Sequence, residues 1–201
     1  MKRRLAALVT VGTLLMTAAV FALAGGASAG PDNHLMRWDI ISIDFAAGTV
    51  SAGGIASARA VDGSKITLTG TGTFRSNPGN SQAVTGGGTW QTFASGGSQL
   101  GSGTYEVTGF VTYELAPGTP PPLQDTIDGT VANNRAGLLV AEIAYSDGSK
   151  GTLTVSCHLV GTPDSVYEGI TATKGFVDYT NPEAPPAPPG DANRTLFQVV
   201  R

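Results

Sequence analysis

From Ile66 the chain alternates between two kinds of residue. Ile66, Leu68, Gly70, Gly72 and Phe74 fill one set of positions, and Thr67, Thr69, Thr71 and Thr73 the other. A period of two is the mark of an extended strand with one buried and one solvated face. The pattern returns downstream. Tyr105, Val107, Gly109, Val111 and Tyr113 alternate with Thr104, Glu106, Thr108, Phe110, Thr112 and Glu114. Leu153, Val155, Cys157 and Leu159 alternate with Thr152, Thr154, Ser156 and His158. The threonine, glutamate and histidine positions read as the outer face.

One short motif sits inside this alternation three times: Gly70-Thr71-Gly72-Thr73-Phe74, Gly86-Gly87-Gly88-Thr89-Trp90 and Gly101-Ser102-Gly103-Thr104-Tyr105. Its starts are 16 and 15 residues apart, about one strand plus one turn. The two glycines and the aromatic of each copy share a face, and the surrounding pattern makes that face the inner one. Inner glycines let a sheet coil and leave room for a neighbouring strand's aromatic ring. A pairing with Gly72 opposite Gly88 puts Phe74 over Gly86 and Trp90 over Gly70.

Other strands follow from shorter runs. Leu35 to Ala46 is apolar on both faces, with Arg37 and Asp39 among the apolar positions of one of them. Ile55 to Val61 and Gly137 to Tyr145 read as strands, Ile170 to Tyr179 as one or two more, and Arg194 to Val200 as a last strand on a sheet edge. Asp62-Gly63-Ser64-Lys65 recurs as Asp147-Gly148-Ser149-Lys150, each before a threonine-alternating run, so both are hairpin turns. No helical periodicity appears after the first 29 residues. The reading is all-β: a single antiparallel β-barrel of about eight strands, with a β-sandwich as the alternative.

The N-terminal residues are organised differently. Lys2, Arg3 and Arg4 precede an apolar run from Leu5 to Leu23, and Ala27-Ser28-Ala29 closes it. This is the layout of a signal peptide, residues 1–29, cleaved after Ala29. The mature part, 30–201, is then one secreted, extracellular barrel domain with a Pro-rich segment at 181–190 and no stable membrane anchor. Without the three leading cations it has 9 basic residues against 15 acidic ones, a net charge of −6. That balance argues against nucleic acid as a partner. The single cysteine, Cys157, excludes an internal disulfide framework.

Candidate chemistry is sparse. Cys157 and His158 are adjacent on a strand and point to opposite faces, so they form no dyad. The two histidines and one cysteine lack the spacing of a zinc site, and no cofactor fingerprint occurs. Glu142 shares a face with Leu138 and Val140, an unusual place for a solvated acid. Tyr167, Glu168, Lys174, Asp178 and Tyr179 form a second polar group, read either as surface pairing or as the rim of a barrel mouth.

The successive Gly-rich strands resemble those of dirigent and allene oxide cyclase-like barrels, a calycin-type architecture. The resemblance implies an eight-stranded barrel with an axial cavity, and no acid of that family can be matched residue by residue. The chain also resembles secreted bacterial proteins of unassigned function, through Cys157-His158-Leu159-Val160-Gly161-Thr162-Pro163-Asp164 and Glu168-Gly169-Ile170. The functional expectation is a barrel that binds a small hydrophobic molecule or serves a structural extracellular role. Phe74, Trp90, Tyr105, Tyr113 and Glu142 are the expected cavity residues. The alternatives are a cyclase or isomerase using the same cavity, and a surface-interaction protein using the outer threonine faces or the Pro-rich segment.

Overall fold

The computed structural model describes residues 33–76 and 84–200. The segment read as a signal peptide, and its cleavage site, lie outside the described residues. What is described is all-β apart from one 3-10 turn at Val131–Asn133. The strands are β1 (Leu35–Asp44), β2 (Thr49–Ala52), β3 (Ala56–Arg59), β4 (Lys65–Leu68), β5 (Thr71–Arg75), β6 (Val84–Phe93) and β7 (Gln99–Ala116). Then come β8 (Gln124–Asp125), β9 (Asn134–Tyr145), β10 (Lys150–Cys157), β11 (Gly169–Lys174), β12 (Val177–Tyr179), β13 (Asn181–Pro182) and β14 (Thr195–Val199).

Six strands close an antiparallel ring in the order β14, β1, β5, β6, β7, β9 and back to β14. Closure makes this a barrel and removes the sandwich alternative. Two strands of the ring change partner along their length. One edge of β6 pairs with β5 over Val84–Gly87 and with β4 over Trp90–Phe93. One edge of β9 pairs with β14 over Asn134–Arg135 and with β10 over Gly137–Ala144. β3 and β13 hang beyond β4, and β11 and β12 beyond β10, while β2 pairs with β1 and carries β8.

The inner face is the one the alternation marks. Phe74, Trp90 and Tyr105 are buried, while Thr71, Thr89 and Thr104 are exposed. On the outside, threonine hydroxyls pair across strands, Thr69 with Thr89 and Thr73 with Thr85, each at 2.8 Å. The strand register differs by two residues from the sequence expectation: Gly72 faces Gly86, and Phe74 faces Val84. The ring over these glycines is therefore not Phe74 but Trp38, which lies directly opposite Gly72 on β1. A Cβ on Gly72 would stand 2.5 Å from Trp38 Nε1, and one on Gly86 2.9 Å from Trp38 Cζ2. Trp90 covers Gly101 and Gly103 instead of Gly70, whose neighbour is the Tyr105 hydroxyl.

Two further expectations are corrected. In β7 the pairing with β9 slips past Thr108 and again past Val111. Each slip is a one-residue bulge, and a bulge reverses the inward and outward positions that follow it. The first turns Phe110 toward the core and the second restores Tyr113, so Val111 is left half exposed on the outside. The C-terminal strand, expected on an edge, lies inside the sheet. β14 sits between β1 and β9, with Thr195, Leu196, Phe197 and Gln198 all buried, which is the pattern of a strand covered on both faces.

The two Asp-Gly-Ser-Lys segments are turns of one design. Asp62 Oδ1 accepts the Ser64 N–H at 2.9 Å and its hydroxyl at 2.6 Å. Asp147 Oδ1 accepts the Ser149 N–H at 3.1 Å and its hydroxyl at 2.7 Å. Gly63 and Gly148 have φ of 82° and 87°, which makes glycine the fitting residue there.

Candidate functional site

The axis of the barrel is packed. Phe74 has ring centroids around it at 4.8 Å (Tyr113), 5.9 Å (Phe197) and 6.2 Å (Phe110). Trp38, Ile40, Ile66, Leu68 and Leu139 complete the interior, each fully buried. Trp90 donates its indole N–H to the Thr104 carbonyl at 3.1 Å, and the Tyr105 hydroxyl donates to the Thr69 carbonyl at 2.8 Å. Both polar tips are thereby tied to backbone inside the wall. Tyr113 stands nearer one end, where its hydroxyl is buried without a partner beside a cavity it shares with Met36 and Arg135. Of the expected cavity residues, the four aromatics all point inward but fall in two clusters, Phe74 and Tyr113 with Phe110 and Phe197, and Trp90 and Tyr105 with Tyr145.

Glu142 does not join them. It is exposed on the outer face of β9, opposite Gly109. The face it shares with Leu138 and Val140 is the outer one, and Leu139, Ala141, Ile143 and Tyr145 form the inner one. The polar group around Tyr167 and Tyr179 is also divided. Lys174 turns to the other end of the barrel, where its ammonium lies 4.2 Å from the Trp90 ring centroid and 4.9 Å from that of Tyr145. There it pairs with Asp147, whose carboxyl is held down to about 2 by Lys174 first and by the Ser149 hydroxyl second.

Glu168 occupies the place where β9 exchanges β10 for β14. One carboxyl oxygen accepts the His158 N–H and the other the Thr195 N–H, both at 2.5 Å. The Thr195 hydroxyl adds a bond to the Ser156 carbonyl at 2.6 Å. The carboxylate thus joins the end of β10 to the start of β14, where no ladder connects them. Gly169, at φ 113°, supplies the backbone geometry that returns the chain into β11 directly after it. Burial pushes the Glu168 carboxyl up to about 8, against the opposing pull of the two backbone donors and the Arg194 charge.

Beside this junction, on the flank of the barrel, lies a cavity of about 130 Å³. Its apolar walls include Ile41, Ile43, Pro121, Leu123, Leu159 and Leu196, and its polar groups include His158, Glu168 and Arg194. Each wall is placed by specific contacts. The Leu159–Thr162 turn docks on the loop after β7, through a Thr162 hydroxyl bond to the Pro117 carbonyl at 2.7 Å and a bridge between Thr119 and Val160. That contact brings in Pro121 and Leu123. Buried Asn193, at φ 57°, fixes the approach to β14: its N–H donates to Ile55, and its side chain bonds Ser57 and Ala184.

Arg194 follows at once. Its guanidinium stacks 5.2 Å over the Phe45 ring and donates from one terminal nitrogen to the Pro186 carbonyl at 3.1 Å. Its Nε–H is buried and has no partner. His158 Nδ1 lies 2.6 Å from the Val166 carbonyl, so this nitrogen carries the proton and Nε2 is left as an acceptor. Cys157, the preceding residue, points the other way into the core and is fully buried, with its thiol pushed up by burial. The sequence reading separates Cys157 and His158 correctly but does not bring His158, Glu168 and Arg194 together. Their one shared signal is the run from Cys157 to Asp164 with Glu168-Gly169-Ile170, which carries the second resemblance. No protein-family model, curated protein or solved structure matches the chain.

Proposed function

We propose that this protein is a secreted binding barrel whose small hydrophobic ligand is held in the flank cavity between the β10 end, the β14 start and the loop after β7. The observation that carries the reading is the cavity itself: apolar walls around a buried arginine N–H without a partner. Binding sites are mostly apolar concavities with a few fixed polar groups, and an unsatisfied buried donor is a cost that a ligand acceptor removes. A volume near 130 Å³ suits one small ring or a short chain, since a cavity of roughly 150 Å³ accepts benzene. The axial site expected from the aromatics is replaced by this one because those aromatics fill the axis. Export rests on the charged start, the apolar run and Ala27-Ser28-Ala29.

A second reading, proton-transfer catalysis by Glu168 and His158, is favoured by the raised carboxyl in an apolar cavity. Both Glu168 oxygens are already held by backbone donors, which suits a fixed carboxyl better than a proton shuttle. Binding is the function we put forward. Native mass spectrometry of the protein purified from culture medium tests it. A bound small molecule, lost in a Leu123→Trp variant that fills the cavity from a loop, is the expected result. A molecule retained equally by that variant, or none even after incubation with small apolar compounds, would overturn the reading.

A further inference from the structure

The unmatched polar groups of the flank cavity limit what the ligand can be. Resting on the binding role just stated, we infer that the cavity takes a small carboxylic acid with an apolar body of about one ring. Three groups decide this. The Arg194 Nε–H is a charged donor, buried and without a partner. His158 is fixed by its Nδ1 contact with Val166, so Nε2 is left to accept a proton. Glu168 is the acid of the cavity, and its two oxygens take the His158 and Thr195 N–H donors. Burial pushes the Glu168 carboxyl up to about 8, so near neutral pH it holds its proton and Arg194 is the charge that a ligand meets.

A carboxylic acid answers both open groups at once. One oxygen accepts from Arg194 Nε–H, in a charge-assisted bond of the stronger kind. The acid arrives as its anion, and one proton taken up from solvent is held between its second oxygen and His158 Nε2. The complex therefore gains the ligand and one proton, and no other atom. An alcohol satisfies one of the two groups at a time. An ammonium answers His158 but opposes Arg194. A primary amide has the right donor and acceptor but lacks the charge. The apolar walls, Ile41, Ile43, Leu159 and Leu196 among them, receive the body and exclude a polyhydroxylated one.

Titration calorimetry of the wild-type protein with benzoate, benzamide, benzyl alcohol and benzylamine is the test, and it needs no variant. Benzoate should bind at least tenfold more tightly than each of the other three. Arg194→Met, with its fold checked by thermal melting, should erase the preference of benzoate over benzyl alcohol. Benzamide or benzyl alcohol binding as well as benzoate would overturn the acid class and leave the cavity standing as a site. Benzylamine binding best would reverse the assigned polarity and also overturn the inference. If none of the four binds, the binding role falls together with the ligand class.

Discussion

Replacing Glu168 by glutamine separates the charge of the junction from its shape. The two carboxyl oxygens accept the His158 and Thr195 N–H groups. Glutamine has one acceptor oxygen, so one buried N–H loses its partner and faces an NH₂ group instead. The loss of one buried bond costs about 1–3 kcal/mol, at any pH. The native carboxyl carries a cost of a different kind. Its pKa is about 8 in the folded protein, raised by burial, against an ordinary value of 4.5. The folded state therefore holds the proton more firmly than the unfolded state. Stability is full below about pH 4.5, falls as pH rises, and levels off above about pH 8, with a total loss of roughly 5 kcal/mol. The Glu168→Gln variant lacks this slope. Urea unfolding followed by fluorescence, at pH 5, 7 and 9, should show the native protein more stable in acid and the variant more stable in alkali. The curves should cross between about pH 5 and 7, where the native loss reaches the 1–3 kcal/mol of the missing bond. A native stability flat from pH 5 to 9, or one that rises, would refute the burial argument.

Other outcomes follow from the barrel wall. Gly88→Val places a Cβ 2.1 Å from the Thr69 carbonyl oxygen, so it should cost about 3 kcal/mol or more in denaturant melts, whereas outward Thr89→Val should cost about 0.5 kcal/mol. A larger loss for Thr89→Val would invert the inner and outer faces. Lys174→Met removes an ammonium held by Trp90, Tyr145 and Asp147, and should lower stability by about 1–2 kcal/mol and alter tryptophan fluorescence. Unchanged stability and emission would show that the cation is not held there. Fully buried Cys157 should react with a thiol reagent only after denaturant is added, and fast labelling of the native protein would contradict its place in the core.

Local alternation made most of the wall legible. Ile66 to Phe74 needs nothing beyond period two to assign its faces, and the Asp-Gly-Ser-Lys turns need only their own four residues. Where the fold depends on a partner strand, the pattern is silent. Thr108 and Val111 look like any other members of an alternating run, and only the pairing with β9 shows that the run slips there twice. Trp38 is one of several apolar residues in β1 until Gly72 is found opposite it. The flank site is furthest from local signals. Glu168 finds one donor 10 residues back and the other 27 residues on, and Arg194 reaches the cavity only because Asn193 holds the chain against β3. Glu142 misled for a related reason: Leu138 and Val140 are apolar yet outward, half covered on the outer side of β9.

The claim that a ligand enters the flank and not the axis is tested most directly by backbone amide chemical shifts during titration with toluene, a probe small enough for either place and free of polar groups. Saturable shifts are expected at His158, Leu159, Thr195 and Leu196, with Phe74, Gly86 and Tyr105 unmoved. Shifts concentrated at Phe74, Gly86 and Tyr105, with the flank residues still, would put the ligand on the barrel axis and rule out the flank cavity as its site.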